Sequence, residues 1–538
     1  MKDEMSDTTP LPQETREERD AHAAPLLPET PAITPGASPP VARAVRRGRV
    51  PRWLLVTLVG ILVLAGGTGL LISLLQRPAN PAPPSSAFQI TSCPFKLAAG
   101  VVEGKDVVCG YLRVPADHSH PQGPAIRLAV AIFKTSYSNP AADPVVDLQG
   151  GPGTQLLATI GPVLTPTNLP HFQLGDRDLI LLDQRGVGYS QPSLSCQANE
   201  TLLACHDRLV RQGINLSDYT TIQNAEDVHD LVRALGYHQV TLWGISYGTR
   251  LALTVMRLFP ADIRSVVLDS TSPPQVNIET GFPAATQRAF DTLFRGCAAN
   301  PYCNQHYPHL QAVFARLVSD LNQHPATVQV TNPQTGKLVS GVITGDDVVN
   351  GLRNALYDTA LIPKLPKVIY QLANHDYSQV VALSEAANAA LGSDTVGMFY
   401  SIECGEDIAF TTPQAMPAAV QMVEPETRHY FLTALQADYA DCQLWNVQPV
   451  PAVQKQPVTS AIPTLILAGE YDPTTTPAYG MLAARTLSRN YFFLFPGTGH
   501  GVVGRNSCAT SMFLAFLELP TEKPDTTCMS GVGEPLFE

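Results

Sequence analysis

Thr241-Leu242-Trp243-Gly244-Ile245-Ser246-Tyr247-Gly248-Thr249-Arg250 is the stretch on which the fold turns. It holds a G-x-S-x-G pattern with Ser246 at its centre. Just before it, Gln239 to Trp243 reads as a short buried strand. Just after it, Tyr247 to Leu258 carries Leu251, Leu253, Val255 and Leu258 and reads as a helix. A serine on a sharp strand-to-helix turn is presented as a nucleophile. The turn strains the serine backbone, and a β-carbon on either flank would clash, hence Gly244 and Gly248. The helix starts directly behind the serine, so its free N–H groups face any negative charge that develops there.

Working outward, Val107 to Val114 and Ile126 to Lys134 are β-branched runs that suit an antiparallel pair. Pro144 to Leu148 is the next strand and empties into Gln149-Gly150-Gly151-Pro152-Gly153. Asp178 to Leu182 follows and ends in Asp183-Gln184-Arg185-Gly186-Val187-Gly188-Tyr189-Ser190. A helix is expected over Asn224 to Leu235 and a further buried strand over Ile263 to Asp269. Apolar strands alternating with helices mean a mostly parallel sheet covered on both faces. From residue 272 to 460 the period is helical, with helices expected at Ala285–Cys297, Leu310–Leu321, Val348–Leu356, Pro366–Leu372 and Gln379–Leu391. Pro363 and Pro366 should separate the third from the fourth. Strand pattern returns at Pro463–Ala468 and Tyr491–Phe495, and Ser507–Leu517 closes the chain as a helix. The fold expected is therefore an α/β-hydrolase: a core over 90–271 and 461–538, interrupted by a helical cap over 272–460 that supplies no core strand.

Bulk properties narrow the setting. The 538 residues carry a net charge of −12, which argues against nucleic acid as a partner. Hydrophobic residues make up 44% of the chain, enough for a large core. Residues 1–52 are rich in Pro, Glu, Ala and Thr without apolar period and read as a disordered tail. Trp53 to Leu75 is an uncharged apolar run which, as a helix, would span roughly 35 Å. Arg43, Arg46, Arg47, Arg49 and Arg52 precede it, so the positive-inside rule puts the tail in the cytoplasm and the rest outside the cell. A cleavable signal peptide is the competing reading; the long leader favours a single-pass anchor in the cell membrane. A Pro-rich linker occupies 76–89. All 10 cysteines lie after the anchor, which suits disulfides in an exported domain. Connectivity does not follow from sequence; pairing in chain order is the guess, from Cys93–Cys109 to Cys508–Cys528. No Cys/His spacing suggests a metal site, and no cofactor is expected. His118 and His120 beside Pro121 read as a surface loop.

A serine hydroxyl attacks only when a base takes its proton, and the base needs a third group to fix its tautomer. In α/β-hydrolases the chain order is Ser, then Asp or Glu, then His. After His429 the only histidine is His500, in the glycine-rich loop Phe495–Gly501 past the last strand. The acid should follow the preceding strand, at Gly469-Glu470-Tyr471-Asp472-Pro473; Asp472 is the first choice and Glu470 the reserve. The oxyanion hole is assigned to the N–H groups of Tyr247 and Gly151.

GGPG at 150–153, DQRGxGxS at 183–190, GxSxG at 244–248, the GEYDP turn and the GTGHG loop together resemble the prolyl and tripeptidyl aminopeptidase family of α/β-hydrolases, over roughly residues 90–538. The Cys508–Cys528 tail resembles that of exported tripeptidyl aminopeptidase-like members. Prolyl aminopeptidases usually carry His before GGPG; Gln149 stands here, which leans toward the tripeptidyl branch and leaves the length of the released unit open. The resemblance implies a serine peptidase, acting through an acyl-enzyme at Ser246 on peptides with a free N-terminus. It also implies that cap carboxylates hold the substrate's amine. The segment Ser401-Ile402-Glu403-Cys404-Gly405-Glu406-Asp407 is the matching piece, with Glu406 first, Asp407 second and Glu403 beside them. Asp183 and Arg185 would brace the loop around the site. A carboxylesterase or lipase could use the same machinery and would need an apolar pocket without amine-binding acids. A non-catalytic binding module fits poorly with Ser246, Asp472 and His500 together, and an epoxide hydrolase would carry Asp in place of Ser246.

Overall fold

A computed structural model of the chain describes residues 87–165, 174, 176–331, 338–378 and 395–538. The expected tail 1–52, membrane helix 53–75, nearly all of the linker 76–89 and the cap helix Gln379–Leu391 lie outside the described residues. Among the described residues no helix is long and apolar enough to cross a membrane.

The strands are β1 (Phe88–Ile90), β2 (Val107–Pro115), β3 (Ala125–Phe133), β4 (Val145–Leu148), β5 (Leu179–Leu182), β6 (Val240–Ile245), β7 (Ile263–Asp269), β8 (Ala326–Thr331), β9 (Leu338–Ile343), β10 (Thr464–Gly469) and β11 (Asn490–Phe495). Nine of them form one sheet in the order β1-β2-β3-β5-β4-β6-β7-β10-β11. From β5 to β11 every pairing is parallel; β1, β2 and β3 add an antiparallel edge. The family-level expectation of a mostly parallel sheet is thus met. Central strands are apolar at successive positions because both faces are covered. Leu242 of β6 packs on one side with Val228, Leu231, Leu251 and Val255 from the helices Thr221–Ala234 and Tyr247–Leu258. Trp243, its neighbour, points to the other side and packs with Phe513 and Phe516 of the helix Ser507–Glu518. Period-two alternation makes both residues core residues.

Between β7 and β10 the chain forms a cap with its own apolar core, including Phe290, Leu293, Phe314, Leu352 and Phe431. Its helices include Ile278–Ala299, Leu310–Gln323, Gly345–Ala355, Leu365–Ala373, Val396–Glu406 and Arg428–Trp445. Pro366 stands in the first turn of Leu365–Ala373, where its missing N–H costs nothing. The cap is not purely helical: β8 and β9 pair antiparallel as a separate two-stranded sheet. Neither run is read from the sequence as a strand; they stand apart from the main sheet, with Ala326, Val328 and Ile343 packed on the cap core. Five disulfides join the cysteines in chain order: Cys93–Cys109, Cys196–Cys205, Cys297–Cys303, Cys404–Cys442 and Cys508–Cys528.

Because β4, β6, β7, β10 and β11 run parallel, the loops that leave them gather at one edge. Gly150–Gly153, Ser246, Asp269, Asp472 and His500 all follow or end those strands.

Candidate active site

Ser246 stands between β6 and the helix Tyr247–Leu258 with φ 57° and ψ −125°, a conformation costly for a residue with a side chain. Its surroundings hold it there. Its N–H donates to the Asp269 carbonyl at 3.0 Å, and its carbonyl accepts from the Thr249 N–H at 2.9 Å. Gly248 must be glycine: a β-carbon there would lie 1.7 Å from the Leu148 carbonyl oxygen at the end of β4. A β-carbon on Gly150 would come within 2.7 Å of the Ser246 β-carbon, so the GGPG loop lies directly against the serine. Gly151 follows with φ +97° and a cis bond to Pro152. Tyr247 opens its helix, so its N–H has no acceptor within the helical ladder.

His500 and Asp472 meet from separate loops. The His500 Nδ1–H donates to Asp472 Oδ2 at 2.8 Å. Asp472 is fully buried, and its other acceptor sites take the N–H groups of Thr474 at 2.9 Å and Thr475 at 2.8 Å, and the Thr475 hydroxyl at 2.7 Å. Burial works against its ionisation, but His500 and these donors outweigh it and hold the carboxyl below the usual range. Glu470, the reserve acid, accepts from the Gly497 N–H at 3.4 Å and does not contact His500.

Asp269 ties the serine turn to the histidine loop. Its carbonyl holds Ser246, and its carboxylate accepts from the N–H groups of Val502 at 2.7 Å and Val503 at 2.9 Å. Next to it, Ser270 Oγ accepts from the Gly501 N–H at 2.9 Å. Burial raises the Asp269 carboxyl to about 6, against those two donors. Asp269 and Ser270 thus hold the serine turn and the histidine loop to one strand end. Asp269 carried no sequence signal beyond closing a strand.

The loop after β5 is a brace. Asp183 accepts from the N–H groups of Leu157 and Tyr189, both at 2.9 Å. Arg185 is completely buried and grips both oxygens of Asp227, at 2.8 and 2.7 Å, and the carbonyls of Ala116 and Asp218. His118, read from sequence as a surface residue, packs into the same network, its Nε2 2.8 Å from Asp227 Oδ1. Gln149 donates to the buried Asp147 at 3.1 Å, and its carbonyl accepts from Gln184 Nε2 at 3.0 Å.

The three cap acids expected to hold an amine separate into two environments. Glu406 and Asp407 are fully buried. Glu406 accepts from the N–H and hydroxyl of Thr221, each at 2.7 Å, and lies 3.7 Å from Arg250. Asp407 is paired with Arg250 at 3.0 Å and with Lys455. Burial lifts the Glu406 carboxyl despite Arg250 and Thr221. At Asp407 burial pushes the same way, but the Arg250 and Lys455 charges prevail and lower it. Both carboxylates are therefore occupied by the protein's own groups. Glu403 is different. It is 8% exposed, and its Oε2 has no hydrogen-bond partner. It faces Glu279, from the first turn of Ile278–Ala299, and Glu279 in turn faces Asp438 of Arg428–Trp445. Burial raises Glu403 well above the ordinary range, Glu279 to about 8 and Asp438 to about 6. Like charge adds to this, from Asp407 and Glu279 at Glu403, from Asp438 and Asp407 at Glu279, and from Asp441 at Asp438, whereas the hydrogen bond to Glu279 lowers Asp438. Sequence reading missed Glu279 and Asp438; they lie far from Glu403 along the chain and carry no local motif.

The family described as alpha/beta hydrolase fold matches residues 143–340, and the one described as TAP-like protein matches residues 428–528. The chain has an α/β-hydrolase fold, and over its C-terminal part it is similar to TAP-like proteins. Among its curated relatives, Putative hydrolase YuaR of Escherichia coli (strain K12) is 26% identical over 469 residues, covering 80% of this chain and 89% of the relative. Serine protease Hip1 of Mycobacterium tuberculosis (strain H37Rv) is 25% identical over 534 residues, covering 90% and 98%. Tripeptidyl aminopeptidase of Streptomyces coelicolor is 24% identical over 474 residues, covering 79% and 83%. The hydrolase thus aligns with these relatives over both its sheet and its cap, not over the serine turn alone.

Proposed function

We propose that this hydrolase is a serine aminopeptidase of the prolyl/tripeptidyl type that releases short units from free peptide N-termini. The observation that carries the reading is the 2.8 Å bond between His500 and a buried Asp472, on the loop anchored beside the strained Ser246 turn. Ser246 Oγ attacks the scissile carbonyl while His500 Nε2 takes its proton. Asp472 holds the Nδ1–H and stabilises the imidazolium. The N–H groups of Tyr247 and Gly151 receive the oxyanion. His500 then protonates the departing amine, and water releases the acyl group by the same route in reverse. The substrate's ammonium enters the group formed by Glu403, Glu279 and Asp438. Glu406 and Asp407, the residues favoured from sequence, are held by Arg250, Lys455 and Thr221 and serve as framework.

Ser246→Ala should lower kcat by on the order of a million-fold on a free-amine peptide, since triad members act as a unit. Wild-type turnover in that variant ends the proposal. N-acetylated peptides should be poor substrates; simple esters turned over better than free-amine peptides would favour the esterase reading.

The same proposal sets the catalytic domain outside the cell on a single-pass anchor. The support is the uncharged run 53–75, the arginines before it and the position of every cysteine after it. Recovery of the full chain in the soluble fraction of cells would remove this part.

A further inference from the structure

The residues after the cap helix Gly345–Ala355 reach out of the cap and touch the catalytic loops. Tyr357 does so in three ways. Its ring stands over the His500 imidazole, with centroids 4.7 Å apart at an angle of 53°. Its backbone carbonyl accepts from the His500 N–H at 3.1 Å. Its hydroxyl is 2.5 Å from the Thr474 hydroxyl, and Thr474 in turn donates its N–H to Asp472 at 2.9 Å. One side chain therefore contacts both the base and the turn of the acid that orients it.

The neighbours reinforce this docking. Gly499 packs so closely on the segment that a β-carbon there would lie 2.4 Å from the Leu356 carbonyl oxygen. The Gly499 N–H donates to the Thr359 hydroxyl at 3.1 Å, and Arg505 pairs with Asp358 at 3.1 Å. On its far side, the Tyr357 hydroxyl accepts from Arg353 Nη2 at 3.2 Å. The Arg353 charge acts on Glu279 and Asp438, opposing the rise of both carboxyls. Arg353 thus contacts Tyr357 on one side and acts through its charge on the cap acids on the other.

We propose that Tyr357 is a positioning residue for His500, so that the cap supplies part of the frame of the catalytic base as well as the site for the amine. An imidazole in a glycine-rich loop can swing unless something covers its face. In this fold the sheet side supplies Asp472, and the cap side supplies Tyr357. The inference rests on the reading of Ser246, His500 and Asp472 given above.

Tyr357→Leu removes ring and hydroxyl; Tyr357→Phe removes the hydroxyl alone. In the full chain, Tyr357→Leu should lower kcat on a free-amine peptide about tenfold to a hundredfold while KM moves less than about twofold, because orientation is lost and not binding. Labelling of Ser246 by a fluorophosphonate, which brings no amine to the acids, should slow in the same proportion. Tyr357→Phe should recover most of kcat. Thr474→Val deletes the other half of the hydroxyl contact, so Tyr357→Phe combined with Thr474→Val should lose no more than the worse single variant. Wild-type kcat and labelling in Tyr357→Leu, a risen KM at constant kcat, or additive losses in the double variant would each overturn the inference. If Tyr357→Leu does not fold, Tyr357→Met, which keeps bulk but no ring, takes its place with the same losses expected and the same outcomes overturning the inference. Ser246→Ala separates the two levels: full turnover there ends the catalytic reading, whereas a dead Ser246→Ala beside an untouched Tyr357→Leu ends only the role given to Tyr357.

Discussion

Two groups of cap acids, Glu406 with Asp407 and Glu403 with the half-buried Glu279 and Asp438, are built on opposite terms. Glu406 and Asp407 face Arg250, Lys455 and the donors of Thr221. Glu403, Glu279 and Asp438 face other acids, among them Asp407 and Asp441, and a buried oxygen of Glu403 is left without a donor. Burial disfavours the charge in both groups. The first answers it with cations and hydrogen bonds, the second by keeping protons. Acids that the protein has already satisfied hold the structure together; the others are the ones the proposed function gives to the substrate's ammonium.

The largest effect should come from undoing the satisfied group. Arg250→Met leaves Asp407 and Glu406 buried without their main cation and should cost about 3–5 kcal/mol in a urea unfolding experiment, because a broken buried pair strands its partner. Stability within about 1 kcal/mol of wild type would erase the distinction drawn here. Glu403→Gln tests the other group. It should leave stability unchanged and lower kcat/KM for free-amine peptides about tenfold to a hundredfold, the worth of one charge-assisted contact. Turnover of free-amine peptides at the wild-type rate would show that Glu403 does not receive the amine.

The smallest effect concerns protons. With Glu279 raised to about 8, the free protein keeps a proton that a bound ammonium must displace. KM for free-amine peptides should therefore fall a few-fold as pH rises from about 6 toward about 8, then rise as the peptide's own amine loses its charge near about 8. Glu279→Gln should flatten the lower limb. The stability consequence has a definite sign. The folded-state value lies above the unfolded 4.5, so the folded state binds more protons between the two. Stability is then greatest below 4.5 and is lost as pH rises toward about 8. Glu279→Gln should accordingly melt closer to the same temperature at pH 5 and pH 8 than wild type does. An equal drop in both proteins would remove Glu279 from the account.

Much of the sheet was legible because its signals are local. The stretch around Ser246 carries its own strand, turn and helix. The parallel strands are apolar at successive positions, as burial on both faces demands. The hairpin β8–β9 was not legible, since it lies outside the main sheet and packs only its Ala326, Val328 and Ile343 against the cap core. Asp269 looked like the last residue of a strand, and only the approach of the Val502 and Val503 N–H groups shows what its carboxylate holds. His118 looked exposed until Asp227, from a helix distant in the chain, was seen to cover it. The acids of the cap were the hardest case: the segment 401–407 was found, but the ranking within it could not be read from the segment.

What the sequence by itself determined was the kind of chemistry. The order of Ser246, Asp472 and His500, each just past a strand, and the glycine loops beside them depend on neighbours a few residues away. What the tertiary structure decided was which acids meet the protein's own cations and which meet other acids. A carboxylate's state depends on the charges within a few ångströms of it, and at Glu403, Glu406 and Asp407 those charges come from residues far off in the chain.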